Sequence, residues 1–481
     1  MQIQHGICIA IIVDFHKNMY NTYTQRTTKA THVKHQTIHR IGIIGSGIAG
    51  LSAAWLLRNR YELDLYEQND YTGGHTHTIE VEEEGSKIPI DTGFIVYNEP
   101  NYPQLTQLLR HLDVQTQPTD MSFAVSVGQG KLEYAGDNLS KLFAQRRNLF
   151  NRRFLSMIKE ILRFNKQCKQ ILEHDDPSLS LGEFLDLNGY NRQFREHYLL
   201  PMASAIWSCP TRTMLSFPVS SFVRFFHNHG LINLKQRPQW KTVVNGSWQY
   251  VKKMSAGLVN KVRLKEPVIS VRRLADGVEV VTAQGRKQRY DALILACHAD
   301  QALSLLENPS RLEKQLLSQF HYQKNQAFLH TDPSLMPKSR SVWSSWNYLS
   351  DDRQTGDNAV SVSYWMNRLQ RLEAGRDYIV SLNPLREPRR NRLIAEMTYD
   401  HPVFDSAAML AQQRLEQIQG SERIWYCGSY FGYGFHEDAL RSSIELAAKL
   451  DVPAPWETRA YRPRQQHAIN HLADLARSAG V

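Results

Sequence analysis

The 481-residue chain is 42% hydrophobic and 22% charged, enough apolar surface for two domains with real cores. Its net charge of +10 suits contact with an anionic surface, but no helix-turn-helix, zinc-finger or RNP pattern accompanies it, so nucleic acid is not an expected partner. The cysteines (Cys8, Cys168, Cys209, Cys297, Cys427) are scattered without a C-x-x-C pair, which argues against a disulfide framework or a metal site and suits a reducing, cytoplasmic compartment.

Residues 1–38 precede the first strand and read as an N-terminal extension. Ile7 to Val13 is apolar, but no Lys or Arg precedes it and Asp14 ends it, so it makes a poor signal peptide. No apolar run approaches the roughly 18 residues that a membrane-spanning helix needs.

The stretch "HRIGIIGSGIAGLSAAWLLRNRYELDLYE", His39 to Glu67, reads as strand, glycine turn, helix and strand. Ile41, Ile43 and Ile44 predict a buried parallel strand. Gly45, Gly47 and Gly50 form G-x-G-x-x-G: a tight turn, a close backbone approach to a pyrophosphate, and close helix–strand packing. A helix is predicted over Ala49–Arg60, with Leu51, Ala54, Trp55 and Leu57 facing inward. Its N-terminus favours an anion. A second strand, Leu63 to Tyr66, ends at Glu67, about twenty residues on, where a ribose diol needs an acceptor. An acid there repels a 2′-phosphate, which disfavours NADP and leaves NAD or the ADP half of FAD.

Gly73-Gly74 is a second glycine turn. Two strands follow with a bend at Gly85-Ser86, and Asp91-Thr92-Gly93-Phe94 re-enters tight backbone. Residues 105–240 read as mainly helical, with a capping box at Ser180 and Glu183. Within them the basic segment 141–169 alternates Arg146, Arg147, Arg152, Arg153, Lys159, Arg163 and Lys166 with Phe143, Leu149, Phe150, Phe154, Ile158, Ile161 and Leu162. It suits either a membrane surface or a core helix with a solvated basic face. Val243 to Ser247 reads as strand then turn, with a helix over Tyr250–Leu258. Strands at 266–274 and 278–283 flank a turn at Asp276-Gly277. Tyr290 to Cys297 reads as one buried strand, leaving abruptly at His298. A strand at Ile424–Tyr426 meets Gly428, then Gly432 and Gly434, then a helix starting near Glu437. One dinucleotide engages both ends of a chain only if it is long and extended, as FAD is.

Four pieces, in order, carry a resemblance to the flavin-containing amine oxidase superfamily, which also includes protoporphyrinogen oxidases and phytoene desaturases. They are Gly45 to Gly50 with Glu67; Gly73 to Thr76; Asp91 to Phe94; and Gly428 with Gly434 to Ala439. The resemblance spans roughly residues 38–450. The stretches "HYLLPMASAIWS", "FFHNHGL" and "RPQWKTVVNGS" most resemble a bacterial group encoded beside cyclopropane-fatty-acyl-phospholipid synthases. Some of its members are implicated in desaturating methyl-branched acyl chains on the way to furan fatty acids.

The resemblance implies an α/β fold: a discontinuous Rossmann-like FAD-binding domain (39–110, 241–300, 421–450), an α+β substrate domain (111–240, 301–420), and a C-terminal tail, 451–481. It implies FAD, with Glu67 on the adenosine ribose and Gly45, Ser46, Gly47, Ile48, Ala49 and Gly50 at the pyrophosphate. Gly74, His75 and Thr76 would lie along the diphosphate and ribityl chain, and Gly93, Phe94 and Ile95 beside the isoalloxazine. Val268 would meet the adenine edge through its backbone. Gly428 and the helix start, Glu437, Ala439 and Leu440, would complete the flavin contacts. Phe435 falls where monoamine oxidases carry an aromatic pair, without a clear partner tyrosine, and His75 stands where the superfamily usually has Arg. Both departures weaken an amine-oxidase reading more than a flavin reading.

Hydride transfer to a flavin asks the protein to position substrate and exclude water. Trp207, Phe217, Phe222, Phe225, Phe226 and Trp240 are candidate pocket walls. His227, His229 and His436 are candidate proton acceptors, His436 foremost because it is placed beside the flavin. The expectation is an FAD-dependent oxidoreductase that desaturates a hydrophobic substrate such as a lipid acyl chain, with peripheral contact at the inner membrane face through the basic segment. A flavin amine oxidase and a redox-neutral FAD-dependent isomerase are the alternatives.

Overall fold

The computed structural model describes residues 38–173, 179–207, 210–229, 231–232, 238–351 and 361–457. The N-terminal extension apart from its last residue, the tail beyond 457, Cys8 and Cys209 lie outside the described residues. Five parallel strands carry the glycine loop, in the order Val262–Arg263, Glu62–Tyr66, Arg40–Ile44, Ala292–Leu295, Ile424–Tyr426. The inner strands are covered on both faces, which is why they read as unbroken apolar runs such as Ala292 to Leu295, with no exposed residue. Across them Asp64 binds Arg40 (2.7 Å), Arg263 (2.6 Å) and the Tyr290 hydroxyl (2.9 Å), tying four segments of chain at one point.

The helix after the loop runs Ile48–Leu57, and all ten of its residues are buried rather than the one face expected. The reason lies at the other end of the chain. The helix His436–Lys449 packs against it, with the Ser52 and Ser443 hydroxyls 2.5 Å apart, so no face is left for solvent. The predicted strand at Tyr290 to Cys297 is two. Lys287–Tyr290 belongs to an antiparallel three-stranded sheet with Val268–Arg273 and Val278–Thr282, whereas Ala292–Leu295 joins the parallel sheet. Asp291 makes the break by accepting the Arg40 N–H on its carboxylate (2.8 Å).

Residues 105–240 are not mainly helical at their start. Thr116–Thr119, Phe123–Val127 and Leu132–Ala135 are strands. Phe123–Val127 pairs in parallel with Trp346–Ser350, more than two hundred residues away, and enters a seven-stranded sheet. On its other side it pairs antiparallel with Leu132–Ala135 across the Gly128–Gly130 turn, so a local hairpin and a distant parallel partner together make the segment a strand. The helical part that follows includes Arg152–Glu173, Leu181–Leu187 with the expected Ser180–Glu183 capping box, Leu200–Trp207 and Val219–Asn228. Its aromatic core joins Phe164, Phe222 and Phe226 to Ile44, Tyr66 and Leu293 of the parallel sheet in one continuous cluster. Among the described residues no helix is long and apolar enough to cross a membrane.

Candidate functional site

Three glycine turns converge where the parallel strands end. Gly45 has φ +100° and donates its N–H to the Tyr66 carbonyl (2.9 Å). A Cβ on Gly50 would lie 1.8 Å from the Gly45 carbonyl oxygen, so this position is closed to any side chain. A Cβ on Gly47 would meet no protein atom within 4 Å, because that glycine opens onto a cavity. The second turn docks on the first: the Gly73 N–H reaches the Ser46 carbonyl (2.9 Å), and Gly74 carries φ +59° against Gly47. The third follows from the second, since the Phe94 N–H reaches the His75 carbonyl (2.7 Å) and Gly93 leaves no room for a Cβ beside it.

Glu67 is buried at the rim of this loop. Its carboxylate accepts the Ser46 N–H (3.0 Å), the Ser46 hydroxyl (2.6 Å) and the Asn69 N–H (2.9 Å). A carboxylate has about four acceptor sites, so capacity for about one more donor remains. The helix starting at Ile48 has no side-chain cap and no acid in its first turn, leaving its N–H groups and positive end toward the cavity.

The cavity has a volume of about 1240 Å³. At one end it is lined by Gly45 to Ala49, Glu67, Gly74 and His75, and by Val268 on the adjoining antiparallel sheet. Gly93 to Ile95, Gly428, Phe435, His436 and Ala439 line it further along. Four residues expected at the cofactor do not line it. Gly50 is turned against the Gly45 carbonyl, and Leu440 is a fully buried core residue. Thr76 is buried and bonded to the Tyr250 hydroxyl. Glu437 points the other way: its carboxylate accepts the N–H groups of Gln104 (2.9 Å) and Leu105 (3.0 Å), capping the helix Pro103–His111, and burial pushes it up to about 7.

His436 stacks on Phe94 (ring centroids 3.9 Å, 10°), and its Nε2 meets the Tyr250 hydroxyl at 2.5 Å. Burial lowers it to about 3, so the ring is neutral near pH 7 and holds a proton weakly. Phe435 stacks on Phe225 (4.9 Å, 17°) beside Trp207. Of the aromatic residues expected as walls, Trp207, Phe225 and Trp240 line the cavity, whereas Phe217, Phe222 and Phe226 are core. His229 lines it, with its ring on Phe225 (3.8 Å) and a bond from Nδ1 to the Phe225 carbonyl (3.0 Å), and burial lowers it to about 4. His227 is exposed and does not line the cavity, because it falls on the outer face of its helix.

His75 belongs to the second glycine turn read from the sequence, but its partners gave no motif there. His75, His298 and His401 cluster with ring centroids 5.4 to 6.4 Å from His75, joined by Tyr399 at 5.1 Å. Burial, then the neighbouring rings, hold His75 well below its ordinary value, and burial lowers His401 to about 4. They come from chain segments more than a hundred residues apart, so no local spacing could group them. Beyond the aromatic wall the cavity continues among Met121, Phe123, Ile158, Met202, Ile206 and Trp346. Two acids border that limb, and Arg368 reaches both, binding Asp120 and standing 3.2 Å from Asp137. Burial would raise the Asp120 carboxyl, but hydrogen bonds from Ser122 and Arg368 bring it below its ordinary value.

The flavin containing amine oxidoreductase family matches residues 48–450. The whole fold is similar to a putrescine oxidase variant (TM-score 0.62, 17% identity, 86% of this chain and 99% of that one). It is also similar to a conjugated-linoleic-acid-producing fatty acid isomerase from P. acnes (TM-score 0.60, 16% identity, 85% and 98%) and to cyclohexylamine oxidase from Brevibacterium oxydans (TM-score 0.60, 15% identity, 86% and 100%). A curated relative, a 1-hydroxycarotenoid 3,4-desaturase from a Flavobacterium species, is 55% identical over 40 residues, which is 8% of either chain. The family match across most of the chain, on an α/β fold with its glycine loop at the end of a parallel sheet, makes this protein a member of the flavin containing amine oxidoreductase family and a flavin-dependent oxidoreductase.

Proposed function

We propose that the protein is an FAD-dependent oxidoreductase that dehydrogenates a hydrophobic substrate, with a lipid acyl chain as the favoured one. One observation carries this reading: a single cavity joins a glycine-lined anion cradle to an apolar limb whose two acids, Asp120 and Asp137, are already matched by two cations, Arg368 and Lys141. An apolar chain fits such a limb, and a free cation finds no unpaired counter-charge there.

The cradle fits an extended dinucleotide. Gly47 leaves open space, and the Nε2 of His75 is buried with no hydrogen-bond partner. Its partner has to come from whatever occupies the cavity. In this reading FAD is held by the parts 39–110, 241–300 and 421–450, and 111–240 with 301–420 receive the substrate. Glu67 takes the ribose. The N–H groups from Gly45 to Ala49 meet the pyrophosphate, and Val268 borders the adenine. Gly74, His75, Gly93, Phe94, Ile95, Gly428 and Ala439 surround the remainder.

When bound, the flavin supplies the hydride acceptor. Phe435, Phe225 and Trp207 form the aromatic wall that orients the chain and excludes water. The proton that leaves carbon needs an unprotonated acceptor, and the rings of His436 and of the His75, His298, His401 group meet that condition at neutral pH. The burial that keeps His436 neutral also makes it a weak base, because a proton acceptor works best when its pKa lies near the operating pH.

An amine oxidase is the second reading. Asp400 favours it, because this acid lines the cavity and its Oδ1 is buried without a partner, a site suited to an ammonium group. Anaerobic titration of the yellow protein separates the readings. Bleaching by lipids with methyl-branched or unsaturated acyl chains, and not by amines, supports the acyl dehydrogenase. Bleaching by amines alone sinks it in favour of the second reading. Rearranged double bonds without net bleaching would make the protein a redox-neutral isomerase.

A further inference from the structure

The basic segment 141–169 is neither a plain core helix nor a single amphipathic rod. The chain forms a short helix at Leu139–Leu142, a helical turn at Arg146–Phe150, and the long helix Arg152–Glu173. Phe154, Met157 and Phe164 bury themselves in the core. On the outside, large apolar side chains stand in water: Phe150 is 87% exposed, Leu139 74% and Leu162 52%, with Leu149 and Leu155 also exposed. Five large exposed apolar side chains within residues 139–162 are a concentration that points to an interaction site rather than ordinary surface.

The charges between these residues share one sign. Arg146, Arg152, Arg153 and Lys159 are exposed and form no ion pair among the described residues. The two acids of the neighbourhood are already engaged, Asp137 with Lys141 (2.7 Å) and Glu160 with Arg163 (2.6 Å). The patch is continuous with the cavity. Leu162 is both half-exposed and a cavity wall, as are its neighbours Ile158, Ile161 and Asn165 on one side and Leu142 on the other.

We propose that this patch docks the protein on an anionic phospholipid bilayer, with the apolar residues in the acyl boundary and the cations at the headgroups, so that the cavity mouth at Leu142 and Leu162 opens toward lipid. Apolar side chains backed by unpaired cations match such a surface in both of its layers, whereas a protein partner would need neither the single charge sign nor the open mouth. The proposal rests on the acyl-substrate reading for its purpose, but its test does not depend on it.

The test is co-sedimentation of the full flavin-loaded chain with vesicles of phosphatidylglycerol and phosphatidylethanolamine, and with vesicles of phosphatidylcholine alone. Binding to the anionic vesicles is expected, weakening as salt rises. Each cation near the surface is worth about fivefold in affinity, so a triple Arg146→Gln, Arg152→Gln, Arg153→Gln variant should bind on the order of a hundredfold more weakly. A double Leu149→Ser, Phe150→Ser variant should lose the binding that survives high salt. All five positions are exposed, and an unchanged flavin spectrum shows that the variants fold. A wild-type protein that binds neither vesicle, or variants that bind as wild type does, overturns the proposal. Flavin bleaching by detergent-dispersed acyl substrate is read separately. If the triple variant still bleaches, docking and chemistry are distinct; if the wild type docks but never bleaches, the substrate reading fails and the docking stands.

Discussion

Tyr250 and His436, from helices 186 positions apart in the chain, meet hydroxyl to Nε2 at 2.5 Å beside the cavity. The ring is clamped from a second direction by Phe94, so its plane is set by packing and its edge by a hydrogen bond. Tyr250→Phe removes the short edge partner and leaves the buried imidazole nitrogen only the long contact to the Thr76 hydroxyl (3.4 Å), a loss within the range of about 1–3 kcal/mol for an under-satisfied buried group. A lowered melting temperature and weaker flavin retention are expected. Because burial holds His436 at about 3, turnover should show no ionisation of this residue between pH 6 and 8. A wild-type inflection near 6.5 that disappears in His436→Gln would contradict this.

The glycine loop separates two kinds of constraint. Gly50→Ala drives a Cβ into the Gly45 carbonyl, and overpacking of this kind costs about 1–3 kcal/mol or more. The apoprotein itself should lose stability. Gly47→Ala meets no protein atom, so its apoprotein should melt as wild type does while its flavin content falls. Thermal melts of both apoproteins, beside their visible spectra, check the contrast.

Acid should destabilise the fold below pH 6.5. His436 lies at about 3, and His229, His330 and His401 at about 4, all lowered by burial from an ordinary value near 6.5. A depressed histidine stabilises the fold above its unfolded value, and that contribution is lost as pH falls toward the folded one, because the unfolded chain then binds more protons. Asp91 acts in the opposite sense. Burial raises it to about 7, so its contribution is greatest below its ordinary 3.8 and is lost as pH rises through 7. Asp91→Asn removes the opposing slope, and its melting temperature should fall more steeply than that of wild type between pH 6.5 and 4. Equal slopes would refute the assignment.

Asp64 gathers Arg40, Arg263 and Tyr290 at one edge of the parallel sheet. Asp64→Ala leaves the part-buried Arg263 guanidinium without its acid and Arg40 with only the exposed Glu62 (3.3 Å). Removing one partner of a buried pair costs about 3–5 kcal/mol, and the partial exposure of the arginines places the loss near the lower end. Urea unfolding should show a lower midpoint at unchanged slope.

Strands and glycine turns were legible where their requirements are local. The first strand, the loop and Glu67 stand where expected, because a tight turn and a buried parallel strand are written in adjacent residues. Phe123–Val127 was missed although it forms a local hairpin with Leu132–Ala135 across Gly128 and Gly130; only its parallel partner Trp346–Ser350 is remote. Glu437 and Leu440 were placed at the cofactor because the family resemblance sets that helix start against the flavin. Yet a helix start presents side chains in every direction, and neighbours from Gln104 and the core claimed those two.

The residues alone determined the glycine turns after the first strand and the acid at position 67, because backbone geometry there depends on neighbours in the chain. Only the tertiary structure decided which side chains share the cavity. It joined His75 to His298 and His401, set Arg368 between Asp120 and Asp137, and turned Ile158, Ile161 and Leu162 of the basic helix into a wall. Each of these meetings spans distant segments, and burial and charge act through space, so no local pattern could encode them.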